Sequence, residues 1–209
     1  MRRSRVLVLG LALLLAICLL GGCSATGAIR SGIWDGNTFT NEWSNIKVPL
    51  QEGWTSLSAE QMEAVLGAGT DVLVNDGATN EKSSELAKKR TIYDFMLMAE
   101  DGISSVYLCY ENISMIPGGS KFGEEDYLNN VKEGLAAVQQ ITYSFGDMTK
   151  ETLGGQEYTV LPASVNDGLM LQKYYVRKQD KAFIGWIVSY TPDSEQVVNG
   201  QLQAVTKVK

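Results

Sequence analysis

The stretch EYTVLPASVNDGLMLQKYYVRKQDKAFIGWIVSY, residues 157–190, decides the fold class. It contains three runs rich in β-branched and aromatic residues, Glu157–Ala163, Leu169–Arg177 and Ala182–Tyr190, the composition expected of strands. Asn166-Asp167-Gly168 and Lys178-Gln179-Asp180 separate them. Gaps this short make hairpins, whereas a parallel pair needs a crossover of about a dozen residues or more. The sheet is therefore mainly antiparallel.

Upstream, Ile141–Phe145 reads as a fourth strand, and Gly154-Gly155 marks a turn before Glu157. The span Glu124–Gln139 carries Leu128, Val131, Leu135 and Val138 at three-and-four spacing, which predicts a helix with one apolar stripe. Ile92–Met98 and Ser104–Tyr110 are two apolar runs around Asp101-Gly102, a hairpin signal. Ser58-Ala59-Glu60-Gln61 is a capping box that opens an earlier helix, with Gly67 as its expected C-terminal stop. Ile46, Val48 and Leu50 alternate with polar residues, as in a half-buried strand. Residues 68–90 read as a polar insertion, with a turn at Asn75-Asp76-Gly77 and a short charged helix over Glu81–Lys89. Thr191-Pro192-Asp193 starts a last helix, striped by Val198, Leu202 and Val205. The expected class is α+β, a mainly antiparallel sheet covered on its apolar face by helices.

The first 22 residues are an address rather than structure. Arg2, Arg3 and Arg5 precede the apolar run Val6–Leu20, which ends in Leu20-Gly21-Gly22-Cys23. About 20 apolar residues are needed to span the hydrocarbon core, and this run is shorter. The segment resembles a bacterial lipoprotein signal peptide with its lipobox. That resemblance implies cleavage after Gly22 and a lipid thioether on Cys23. The expected organisation is a signal peptide over 1–22, a flexible tether over 23–37 and a single α+β domain over 38–209.

Composition narrows the function classes. The chain has 18 Lys and Arg, 24 Asp and Glu, and no histidine. Removing residues 1–22 removes three arginines and no acid, leaving fifteen bases against 24 acids, a formal −9. Nucleic-acid binding calls for a basic face and is not expected. Without histidine, the Ser-His-Asp, Cys-His and histidine-metal mechanisms are closed. Cys109 is the sole cysteine beyond Cys23; it sits in an apolar run and reads as a core residue. No cofactor or metal site is expected. Glu124, Glu125 and Asp126 read as the acidic first turn of a helix, and Asp71, Asn75, Asp76 and Gly77 lack calcium-loop spacing.

Further residues carry a family likeness. Thr38-Phe39-Thr40-Asn41-Glu42, Ile46-Lys47-Val48-Pro49 and Gly53-Trp54 resemble the opening of many small bacterial lipoproteins, with Phe39 where tyrosine is usual. Gly154-Gly155, Tyr158 and Gln172-x-Tyr174-Tyr175-Val176-Arg177 look like the same group, whose domain is similar to the PsbP-like α/β sandwich. The resemblance implies a binding or accessory role and supplies no catalytic residues.

The function expected is a lipid-anchored, extracytoplasmic accessory module of the cell envelope, held to the membrane through Cys23, without catalysis. Its partner is expected to be an envelope protein, a peptide or a glycan. The alternatives are a carrier of a small apolar or lipid ligand, and a hydrolase built without histidine. Tyr175, Trp186 and Tyr107 are candidates for an aromatic platform on an open sheet face.

Overall fold

The computed structural model describes residues 29–75, 90–115 and 118–209. The signal segment, Gly22, Cys23, the expected tether up to residue 28 and the charged segment 81–89 lie outside the described residues.

Two sheets form. The smaller has three strands in the order β1 (Ile33–Asp35), β2 (Thr38–Asn41) and β3 (Ile46–Pro49). The larger contains β4 (Trp54–Ser56), β5 (Thr91–Ala99), β6 (Ser105–Asn112), β7 (Tyr143–Phe145), β8 (Thr149–Leu153), β9 (Gln156–Val165), β10 (Met170–Gln179) and β11 (Ala182–Tyr190). Its order is β4-β5-β6-β11-β10-β9-β7, with β8 also on β9. Each pairing between these strands is antiparallel. The helices are α1 (Ala59–Asn75), α2 (Glu124–Ala136) and α3 (Glu195–Gln203).

The element ends follow local chemistry. The capping box at α1 is present: the Ser58 amide donates to Gln61 Oε1 at 2.8 Å and the Gln61 amide to Ser58 Oγ at 3.2 Å. At α2 the Gly123 amide donates to Asp126 Oδ2 at 2.8 Å. The β5–β6 turn is closed by Asp101, whose carboxylate accepts from the amides of Ile103 and Ser104 and from Ser104 Oγ, at 2.7–2.8 Å. The β11 strand keeps the bounds read from the sequence, and all nine of its residues are buried. A strand covered on both faces lacks polar alternation, because neither face meets water.

Two apolar clusters flank the large sheet. One joins Tyr107, Tyr174, Val176, Phe183 and Ile187 of the sheet to Leu128, Val131 and Leu135 of α2, with Met62, Val65 and Leu66 of α1 at its margin. The other joins Phe95, Tyr175, Ile184, Trp186 and Val188 to Phe39, Ile46 and Val48 of the small sheet and to Val198 and Leu202 of α3. Each fully buried side chain of this kind is worth ~1.5–3 kcal/mol, so both layers contribute to stability.

Three expectations change. Helix α1 continues past Gly67 to Asn75, because Gly67 stays in the helix and no left-handed residue breaks it there. Strand β1 lies inside the span read as tether: its Ile33, Trp34 and Asp35 pair with Thr40, Phe39 and Thr38. The sheet face expected to be open is closed by the small sheet and α3.

Candidate functional site

The last correction removes the aromatic platform. Tyr107, Tyr175 and Trp186 are 2%, 4% and 1% exposed. Tyr107 faces the α2 cluster, whereas Tyr175 and Trp186 face the small sheet, so they do not even share a face. Trp186 packs edge-on against Phe95 at 5.8 Å between centroids. The Tyr175 hydroxyl donates to Glu151 Oε2 at 2.9 Å, and Lys173 Nζ meets the same carboxylate at 2.9 Å. Burial, then the Glu151 charge, pushes the Tyr175 phenol up, so it holds its proton.

Concavity lies elsewhere. A cleft of about 640 Å³ is lined by residues 29–33 leading into β1, residues 40–43 at the end of β2, and residues 180–182 at the β10–β11 turn. Its volume falls in the ~300–1,000 Å³ range of small-molecule sites. Arg30, Glu42, Asp180 and Lys181 are exposed at it, Trp43 is half-buried, and Ile33 is 70% exposed.

The wall of this cleft stands on a buried polar node. Asn41 is 2% exposed, and its Nδ2 donates to Arg30 O at 2.7 Å, Asp94 Oδ2 at 2.8 Å and Tyr110 Oη at 3.0 Å. Its Oδ1 accepts from the Ser44 amide at 3.0 Å. Ser44 Oγ lies 3.1 Å from Tyr110 Oη. Asp94 sits where the β5–β6 register shifts, between Tyr93 and Phe95, and both its oxygens accept from the Gly32 amide at 3.1 Å. Burial first, then the Asp94 charge, raises the Tyr110 phenol far above its ordinary value and keeps it a neutral donor.

Packing fixes the same wall. A Cβ on Gly32 would lie 2.3 Å from the Phe39 ring and 2.6 Å from Thr40 O, so only glycine allows β1 to approach β2 this closely. The turn after β2 is held through its carbonyls: Gln179 Nε2 donates to Trp43 O at 2.7 Å, and Arg177 Nη2 to Ser44 O at 3.1 Å. Gln156 Nε2 donates to Ser44 O and Asn45 O at 3.2 and 3.1 Å. Trp43 meets Tyr110 edge-on at 5.2 Å. Such a wall needs little ordering on ligand binding, and ordering is a main cost of association.

Thr159 Oγ1 lies 2.8 Å from Lys150 Nζ and donates to Glu124, the juxtaposition a hydrolase without histidine would require. The proton bookkeeping runs against it. The hydrogen bond to Glu124 raises the Lys150 pKa, so the lysine keeps its proton. Burial alone would raise Glu124, but hydrogen bonds from Thr159, the Lys178 amide and Lys150 outweigh it and hold the carboxyl below its ordinary range. Lys150 is thus held protonated, and Glu124 is a weaker base than an ordinary carboxylate. Glu124 instead stitches the first turn of α2 to β8, β9 and β10.

A second buried group holds a charge pair: Arg90 Nη2 stands 3.6 Å from Glu111 Oε1, and the Tyr127 hydroxyl donates to Glu111 Oε2 at 2.7 Å. Burial pushes Glu111 up to about 7, against the Tyr127 hydrogen bond and the Arg90 charge. Cys109 is buried, with its thiol 3.6 Å from Gly185 O. Among the described residues no group of three or more His, Cys, Asp and Glu converges as a metal site, and no helix is long and apolar enough to cross a membrane.

In the sequence Asn41 stands within the lipoprotein-like opening Thr38–Glu42, whereas Asp94 belongs to no motif. The signal for Asp94 was present: one acid stands inside the apolar run Ile92–Met98. Gly22 and Cys23 lie outside the described residues.

No family model matches the chain, and no curated protein matches it. Among solved structures, the chain is similar to the cyanobacterial PsbP (CyanoP) of Synechocystis sp. PCC 6803. The TM-score is 0.49 at 12% identity, over 90% of this chain and 98% of that one. It is also similar to LpqN of Mycobacterium tuberculosis, described as involved in cell envelope biogenesis. That match has a TM-score of 0.41 at 13% identity, over 77% of this chain and 82% of the other.

Proposed function

We propose that the protein is a lipid-anchored accessory module at the extracytoplasmic face of the cell envelope, built on a PsbP-like sandwich and acting by docking rather than by catalysis. The observation that carries this is the segment order at the N-terminus: three arginines, an apolar run, Gly22 and Cys23. Two features support docking. Side chains fill the clusters on both sides of the large sheet, which disfavours a carrier with its ligand between sheet and helices. The cleft at residues 29–33, 40–43 and 180–182 is solvent-open, with a pre-ordered wall. The lipid confines the domain to two dimensions and raises its effective concentration near membrane partners.

The test is Cys23→Ala in the native host. Intact-mass analysis of the wild type should give a chain beginning at an acylated Cys23, with the protein in the membrane fraction. The variant should lose both the acyl mass and cleavage after Gly22. A wild-type chain that begins at another residue, or carries no lipid, would refute the proposal.

A further inference from the structure

The cleft lies at the root of the anchor. Five residues lie between Cys23 and Ile29, the first residue of its lining, and the six chain steps from one to the other span at most about 22 Å. Beyond Ile29 there is no slack. Arg30 is held through its carbonyl by Asn41, and Gly32 through its amide by Asp94. A tether running to residue 37 would let the domain face any direction, whereas one ending at the node does not. The end of the domain bearing the cleft is therefore leashed to the bilayer surface.

That end has the right chemistry for the surface. Its charged lining is Arg30, Lys181, Glu42 and Asp180, two of each sign, a locally neutral patch on a body of formal charge −9. Ile33 is 70% exposed beside half-buried Trp43. Exposed aliphatic groups and an amphipathic indole are what the headgroup region accommodates. Separated positive and negative groups complement the phosphate and ammonium of a zwitterionic headgroup, whereas the acidic remainder is repelled by anionic lipid.

Resting on the reading of Cys23 as the anchor, we infer that the cleft end is a membrane-facing surface that seats zwitterionic phospholipid headgroups. The β5–β6 and β9–β10 turns then point away from the bilayer. Ten-residue β10 separates the two ends by about 30 Å.

The experiment uses the full-length lipidated protein in phosphatidylcholine vesicles. Ile33→Cys and Leu169→Cys introduce labelling sites at positions 70% and 74% exposed, so folding tolerates them, and native Cys109 is buried. Each carries an environment-sensitive fluorophore, read against lipids brominated at set depths. The label at position 33 should lie within about 10 Å of the headgroup boundary, blue-shifted and quenched several-fold more than that at 169. Arg30→Glu with Lys181→Glu makes all four charged groups negative and should return the label at position 33 to a water-like emission. Equal, water-like signals at 33 and 169 overturn the inference and leave the cleft for a soluble peptide or glycan. A reversal variant that keeps the wild-type quenching overturns the headgroup assignment. Intact mass of the same sample separates these outcomes from failure of the anchor: a chain without acyl mass refutes the anchor itself.

Discussion

Asn41→Ala should be among the most damaging single substitutions near the cleft. The amide makes four contacts: it donates to Arg30 O, Asp94 and Tyr110, and accepts from the Ser44 amide. Arg30 O is only part-buried and can turn to water, and Tyr110 keeps Ser44 Oγ. Two losses remain. The hydrogen bond to the Asp94 carboxylate is charge-assisted, worth ~1.5–3 kcal/mol, and a Ser44 amide left unpaired at 0% exposure costs ~1–3 kcal/mol. These terms share a network and do not add fully, so the expected cost is about 3–4 kcal/mol. Against a usual total stability of ~5–15 kcal/mol that is a large fraction. With a denaturant slope of ~2 kcal/mol/M, the urea midpoint should fall by about 1.5–2 M, followed by tryptophan fluorescence with the slope compared. A midpoint shift below about 0.3 M, at an unchanged slope, would show that the node does not hold the small sheet as argued. Asn41→Asp supplies the control. It sets a second carboxylate against Asp94 in place of an N–H donor, so its midpoint should fall at least as far as that of Asn41→Ala.

Further tests reach other parts of the fold. Gly32→Ala should cost about 1–3 kcal/mol as an overpacked site, with loss of amide-exchange protection confined to β1 and β2, because its Cβ would lie 2.3 Å from Phe39. Trp186→Ala should cost about 3–5 kcal/mol, and Trp186 fluorescence should resist acrylamide; ready quenching would restore the idea of an exposed ring. Glu111 has a folded pKa of about 7 against an ordinary 4.5, so the folded state holds its proton more tightly than the unfolded chain. That contribution is complete below pH 4.5 and is lost as pH rises through 7. Thermal midpoints should therefore show a declining component across that window, which Glu111→Gln flattens; identical profiles for the two proteins would contradict the buried assignment.

The fold was largely legible from sequence, and the gaps have physical causes. The bounds of β11 were readable because nine residues with no charge, Ser189 the one polar side chain before Tyr190, ran between a charged turn and Thr191-Pro192. Helix α2 was readable because stripe and acidic first turn coincide. Strand β8, Thr149-Lys150-Glu151-Thr152-Leu153, was not, since an edge strand with charged side chains has the composition of a loop. The cover over Trp186 was misread for a related reason. Part of it comes from the small sheet, whose entry at Gly32 is tied to Asp94 of β5, 62 residues away. The same separation hides the cleft, whose three walls come from distant parts of the chain. Tyr107, Tyr175 and Trp186 drew notice because aromatics are conspicuous in sequence, but period-two alternation cannot say which face is covered.

One pairing sets when the large sheet can close during synthesis. The middle of the large sheet is the β6–β11 ladder, which joins Ser105–Asn112 to residues near the end of the chain, Ala182–Ser189. Until those last residues are synthesised, β6 has only its hairpin partner β5, and a lone two-stranded ribbon is barely stable in water. Closing so long a loop is also slow. A nascent polypeptide of this design therefore lacks the central ladder of its large sheet until nearly the end of its synthesis, and the sheet closes only when Ala182–Ser189 arrive.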